Sequence, residues 1–246
     1  MSQWGYVLGP NKLPSEEARV NLGTVGVVSA RFLPEPTFPT VRGRIAGAAV
    51  GAVLGFLAAP FQAHAGAVLI APFTILAGAL RGASAAEPIE TVEEAETALK
   101  RALADFKIQE TMRDRILETA QQKTPHRFTV LTNQGPTAID EEVSYRSLAS
   151  QGIESIVEVS LREIQMEGLF SPVALTMNAR VKLIRLMDGT VTYSRLYFSQ
   201  SERRNYSEWA DDDAQLFREA LDRGYQGLIE KIVDDLFLVY PFPGQT

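Results

Sequence analysis

The chain has 246 residues, 46% of them hydrophobic and 22% charged, the proportions of a globular rather than a disordered protein. A net charge of −6, with Lys and Arg clustering only at the pair Arg203–Arg204, excludes a general nucleic-acid binder. There is no cysteine, which excludes disulfides, thiolate metal sites and thiol catalysis within the chain.

Residues 1–22 read as a polar, extended arm with Pro10 and Pro14, on which Trp4 and Tyr6 lie loosely at the surface or anchor to a neighbour. The start Met1-Ser-Gln-Trp-Gly-Tyr lacks the basic residues and apolar run of a secretion signal. If the protein is exported, the expectation is that its signal, and any lipid-bearing cysteine with it, has been removed. Gly23–Ala30 is β-branched and almost continuously apolar, which predicts a central strand covered on both faces. Gly23 and Gly26 do not make a dinucleotide loop, because the further glycine and the helix start are missing. Pro34, Pro36 and Pro39 continue as a rigid linker, so residues 23–40 form the first part of an α+β domain.

Residues 41–86 are unlike the rest. From Ile45 to Leu80 there is no Asp, Glu, Lys or Arg, and Arg44 and Arg81 bracket the run. Gly43, Gly47, Gly51 and Gly55 recur every four residues, which stacks them on one face of a helix. Each costs about 1 kcal/mol relative to alanine in a helix. Close approach of two helix backbones compensates for that cost, as in small-residue packing within membranes. Ala48, Ala49, Ala52, Val53 and Phe56 occupy the other face; Pro60, Gln62 and His64 interrupt. A second apolar piece, Ala65–Leu80, contains Pro72 and leads to Gly78 and Gly82. Each half is shorter than the roughly 20 residues of a spanning helix. The pattern therefore predicts a glycine-zipper hairpin of two short helices that enters a thin membrane, lines an oligomeric pore or packs on its own domain. The expected membrane or oligomer interface is Gly43, Gly47, Gly51, Gly55, Phe56, Gly78 and Gly82.

Residues 87–240 return to ordinary globular patterning. Thr91–Gln122 is expected as one long helix with room for a break, on the spacing of Val92, Ala95, Leu99, Ala102, Leu103, Phe106, Ile116, Leu117 and Ala120. Thr91 and Glu94 form a capping-box signature. A short strand follows at Phe128–Leu131 and a short helix at Tyr145–Ser150, closed by Gly152. Three alternating strands come next: Ser155–Glu167, Ala174–Met187 and Thr190–Gln200, the last two joined by the hairpin turn Asp188-Gly189. Asp211–Leu238 closes the domain as a helix with a broad apolar stripe, its start marked by Asp211, Asp212 and Asp213. Residues 241–246 are a tail. The expected fold is α+β, with a mixed, largely antiparallel sheet packed on two long helices and the apolar hairpin appended.

Three stretches resemble a known group: Gly23-Thr-Val-Gly-Val-Val; Leu148-Ala-Ser-Gln-Gly-Ile-Glu-Ser-Ile-Val-Glu-Val; and Ala179-Arg-Val-Lys-Leu-Ile-Arg-Leu-Met-Asp-Gly-Thr-Val-Thr-Tyr. With the element order, they are similar to the CsgG-like and TolB-N-terminal-like bacterial envelope proteins, over roughly residues 22–40 and 90–238. The resemblance implies a non-enzymatic protein on the periplasmic face of the outer membrane. It carries over no catalytic residue. The glycine-rich insert and the missing lipidated cysteine depart from the group's pattern.

No Gly-x-Ser-x-Gly, His-Glu-x-x-His, phosphate-loop or EF-hand pattern occurs. His126 reads as a surface residue and His64 as the tip of the hairpin. Asp211–Asp213 reads as helix capping, since calcium needs six to eight oxygens from a shaped loop. Asp234 and Asp235 read as a solvated face, and Tyr193, Tyr197, Tyr206 and Trp209 as packing. We expect no enzyme, cofactor or metal. We expect self-association, membrane contact through residues 43–82 and an envelope-protein partner. The alternative is a soluble binding or scaffold domain with the apolar hairpin packed internally.

Overall fold

The three alternating segments form the centre of the molecule. The computed structural model describes residues 7–8, 14, 19–34, 36–38, 87–104, 106–168 and 172–238. Strands β1 (Val7–Leu8), β2 (Thr24–Ser29), β3 (Pro36–Thr37), β4 (Arg127–Val130), β5 (Ser155–Glu167), β6 (Val173–Arg185) and β7 (Thr190–Arg204) belong to one sheet. Its order is β1-β7-β6-β5-β2-β4, with β3 also beside β5. β2 runs parallel to both β4 and β5, and β3 parallel to β5; the β5–β6–β7–β1 half is antiparallel. The expected mixed α+β sheet is therefore present, with β2 in the interior position its apolarity predicts. Gly189, at φ +72°, supplies the left-handed residue of the predicted β6–β7 turn.

Among the described residues three α-helices, α1 (Ile89–Ala104), α2 (Ile108–Lys123) and α3 (Tyr206–Phe237), accompany the sheet. Val157, Val159 and Leu161 of β5 and Leu175, Met177, Ala179, Val181 and Leu183 of β6 share one buried core with the apolar stripes of all three. A bulge between Leu161 and Glu163 moves the core-facing series of β5 from odd positions to Ile164 and Met166.

Several boundaries differ from the sequence reading. The single helix expected over Thr91–Gln122 is two helices. Their buried stripes are out of phase: Val92, Ala95, Leu99 and Ala102 in one, Ile108, Met112, Ile116 and Ala120 in the other. Separate segments let each stripe face the core. α1 begins at Ile89, so Thr91 lies inside the first turn rather than capping it. α3 begins at Tyr206, ahead of the expected Asp211, and is interrupted: Asp211 is extended and Asp212, Asp213 and Ala214 have φ of 49°, 53° and 59°. Left-handed conformations cost roughly 1–2 kcal/mol per residue. The acidic triplet still precedes a helical start, that of the segment after Ala214. Within the extended arm, Val7 and Leu8 form β1, which pairs Val7 with Tyr197 and Leu8 with Leu196; Trp4 and Tyr6 lie outside the described residues. The glycine-zipper residues Gly43, Gly47, Gly51, Gly55, Phe56, Gly78 and Gly82 lie outside the described residues. Among the described residues no helix is long and apolar enough to cross a membrane.

The described residues on either side of positions 39–86 are placed by their partners. Before them, β3 pairs with Ile164 and Gln165, close to the β5–β6 hairpin. After them, the Glu87 carboxylate accepts the N–H groups of Tyr206 (2.8 Å) and Ser207 (2.9 Å), just beyond the Val173–Arg204 pair. Both boundaries thus lie toward the same end of the sheet.

Candidate interaction surface

Alternation assigns the residues of the second sheet face. In β5 and β6 the residues that turn away from the helices are Ile156, Glu158 and Ser160 opposite Ile184, Lys182 and Arg180. The chain between β4 and β5 covers one part of this face. Leu131, Tyr145, Leu148 and Ile153 pack there on Val28, Ile156 and Ile184 in a second, smaller core. Close contact begins at Gly135, where an added Cβ would lie 1.8 Å from the Ser29 carbonyl oxygen; only glycine permits that approach. The covering is tied down by charge. Tyr145 donates to Glu158 at 2.7 Å, and Lys182 Nζ stands 2.9 Å from the other Glu158 oxygen. Burial and the neighbouring carboxylate push the Tyr145 phenol well above its ordinary pKa. Asp140 bridges Arg162 (2.9 Å) and Arg180 (2.7 Å).

Beyond this covering the face is open among the described residues and holds a groove of about 590 Å³. Phe32, Leu33, Ile139 and Leu196 give it apolar walls; Arg162, Glu163 and Asn178 add polar lining, with Thr37 alongside. Leu33 is 72% exposed, Ile139 52% and Leu196 38%. Asn178 donates to Glu163 at 2.6 Å, and the two arginines are held by Asp140. The groove therefore offers apolar contact framed by charges that already have partners. That chemistry suits burial against another polypeptide surface.

The remaining sequence candidates resolve as structure. His126 is half-buried rather than on the surface, its ring 6.4 Å from Phe128 and 6.2 Å from Phe237, and burial lowers its pKa. Asp234 and Asp235 are not merely solvated. Lys123 reaches Asp234 at 3.0 Å; Asp235 accepts from Arg195 at 2.6 Å and from the Tyr197 hydroxyl at 3.0 Å. The Asp235 bonds fasten α3 to β7, and the Asp234 bond ties α3 to α2. Tyr193, Tyr197, Tyr206 and Trp209 are buried, as their packing role predicts. Among the described residues no group of three or more His, Asp or Glu side chains is placed to hold a metal ion.

Sequence reasoning missed the groove. Its polar residues Arg162 and Asn178 stand on alternating strands. On β7 an apolar count groups Leu196 with Tyr193, although the two positions differ by an odd number and lie on opposite faces. Phe32, Leu33 and Ile139 come from connecting segments and carry no period.

No protein-family model matches this sequence, and no curated protein matches it. Solved structures give partial overlaps. A PelC dodecamer from Paraburkholderia phytofirmans is 10% identical, covering 53% of this chain and 76% of its own, with a TM-score of 0.34. A hypothetical protein from Chlamydia trachomatis is 10% identical, covering 54% and 86%, with a TM-score of 0.36. A lipoprotein from Neisseria meningitidis is 15% identical, covering 86% and 99%, with a TM-score of 0.30. Overlaps of this extent do not carry function from one chain to another. The class that the fold itself defines is an α+β domain whose mixed sheet packs on helices.

Proposed function

We propose that this chain is a non-enzymatic component of a bacterial cell envelope, held at the periplasmic face of the outer membrane and self-associating there. One observation carries the reading. The stretch Ile45–Leu80 has no charged residue and begins beside glycines every four positions, a pattern suited to close helix packing in lipid. The placement of its boundaries supports it: residues 38 and 87 lie toward one end of the sheet, so the apolar stretch leaves and rejoins the domain there. The α+β domain then stands off the membrane and presents its open face to a partner. The similarity of residues 22–40 and 90–238 to the CsgG-like group points the same way. No nucleophile, base or metal cluster enters the argument, and the role proposed is assembly.

The test is fractionation of the native, full-length protein, with mass determination in detergent and without it. Recovery from membranes as a defined oligomer is expected. Gly51→Leu is expected to shift the protein to the soluble fraction or to smaller species while the circular dichroism of the α+β domain is unchanged. If Gly51→Leu leaves both oligomeric state and fractionation as they were, the zipper has no such role. A monodisperse soluble monomer from the parent chain would instead favour the apolar stretch packing on its own domain.

A further inference from the structure

We propose that Arg162 and Arg180 form a seat for a carboxylate carried by a partner polypeptide. Asp140 is the chain's own occupant of that seat, exchanged when the partner docks in the groove. The seat is made by the bulge of β5. The ladder sets Leu161 opposite Ala179 and Glu163 opposite Asn178, so Arg162 is the extra residue. Leu161 and Ile164 both belong to the core. Arg162 and Glu163 therefore both turn to the open face, two successive residues where a regular strand turns one. Arg180 stands on the same face of β6, opposite Leu196 of the groove wall. Two guanidinium groups from adjacent strands thus meet beside the groove.

Asp140 accepts one bond from each arginine, and Glu163 accepts instead from Asn178. A guanidinium carries five N–H donors, so one carboxylate uses a small part of what the pair offers. Two cations against one anion also leave the pair with positive charge in excess. The arginines are its fixed part, with side chains 23% and 32% exposed, against 62% for Asp140. Asp140 belongs to a turn that is closed on itself: Glu141 accepts the N–H groups of Thr137 and Ala138 and the Thr137 hydroxyl. The chain on either side is fastened separately, through the Arg31 N–H to the Pro136 carbonyl and through Tyr145 to Glu158. Release of Asp140 therefore breaks two ion pairs and leaves the turn and its anchors in place. Pairs with one partner this exposed are weak. An incoming carboxylate remakes both bonds in the planar geometry that arginine favours, and an apolar neighbour on the same polypeptide gains burial against Leu33, Ile139 and Leu196. A small free anion gains no such burial. The ligand chemistry that fits is an acidic side chain next to a branched apolar one.

The test uses the full chain, isotope-labelled at arginine and kept in detergent so that the outcome does not depend on membrane attachment. It is titrated with acetyl-Leu-Asp-Ala-amide while the Nε–H resonances of Arg162 and Arg180 are followed, each assigned by its loss in Arg162→Gln or Arg180→Gln. The peptide is expected to shift both signals saturably, and acetyl-Leu-Asn-Ala-amide to leave them in place. Asp140→Asn removes the internal competitor while keeping a residue type that tolerates positive φ. It is expected to tighten the peptide roughly 2- to 30-fold, the range that two exposed ion pairs span. A gain in affinity cannot arise from misfolding. Equal shifts with the Asn peptide, or unchanged or weaker binding to Asp140→Asn, would overturn the proposal. Inorganic phosphate is expected to bind more weakly than the peptide; equal affinity would make this a general anion site and overturn the polypeptide ligand. Leu196→Ala is expected to weaken the peptide and leave phosphate unchanged, and an unchanged peptide affinity would overturn the groove contact.

Discussion

Gln109 is the residue whose loss the structure makes most calculable. β2 accompanies β5 as far as Val159, and β3 joins only at Ile164. Between them the backbone of Leu161 has no strand partner on that side, and Gln109 of α2 takes the place. Its Nε2 donates to the Leu161 carbonyl at 2.7 Å and to the Phe32 carbonyl at 3.1 Å; its Oε1 accepts the Leu161 N–H at 2.9 Å. The side chain is 2% exposed, so water does not replace these bonds. Gln109→Met keeps the length and volume and removes all three. Two buried backbone groups then lack partners, at about 1–3 kcal/mol each. The expected loss is about 4 kcal/mol, a large part of the roughly 5–15 kcal/mol that holds a domain together. Urea denaturation followed by far-ultraviolet circular dichroism reads it as a lower midpoint at unchanged slope. Gln109→Glu separates the two halves of the bridge: a carboxylate still accepts from Leu161 but donates to neither carbonyl, so it too is destabilised. A loss under about 1 kcal/mol for Gln109→Met would refute the reasoning, because two orphaned buried backbone groups cannot cost so little.

Two further outcomes follow from side-chain partners. His126 packs on Phe128 and Phe237, and burial holds its pKa below the ordinary 6.5. The unfolded chain therefore takes up the proton first as pH falls through 6.5, and the folded state loses stability from there downward. His126→Phe keeps a ring in place and removes the proton; its urea midpoint is expected to fall less than the parent's between about pH 7.5 and about pH 5, and an identical fall would refute this. Asp235 is 25% exposed and Arg195 9%. Removing one partner of a buried pair costs about 3–5 kcal/mol, so Asp235→Ala is expected at the lower end, near 3 kcal/mol. Arg195→Met with Asp235→Leu is expected to cost less than Asp235→Ala alone, since no charge is left unpaired. Equal losses in a thermal or urea series would show that packing rather than charge fastens α3 to β7.

What was legible in the sequence had a period, and what was not had none. The alternation of Leu175, Met177, Ala179, Val181 and Leu183 placed β6 and its covered face, and the continuous apolarity of Val25–Val28 placed β2 inside the sheet. Both signals arise because side chains alternate across a strand whatever its neighbours do. The break between α1 and α2 was not decisive in sequence. Phe106 continues the stripe of α1 by helical spacing, so apolar residues persist through the join while the buried face changes. Gln109 was equally silent: on a helix it reads as a solvated polar residue, and only the gap between β2 and β3 turns it into a backbone substitute. The β5 bulge beside Leu161 hid the same feature, because it shifts the parity of the strand at the point where Gln109 enters.

The groove shows how a one-residue shift changes a functional reading. Tyr193 and Leu196 lie on one strand, and an apolar count sets them together. Their separation is odd, so one belongs to the core and the other to the open face. With Leu196 outward, β7 adds an exposed apolar wall to those of Leu33 and Ile139; with Leu196 inward, the groove would lose that wall. The structure settles that parity through the pairs Leu183–Tyr193 and Arg180–Leu196. Leu183 is a core residue and Arg180 is not, so the two strands agree.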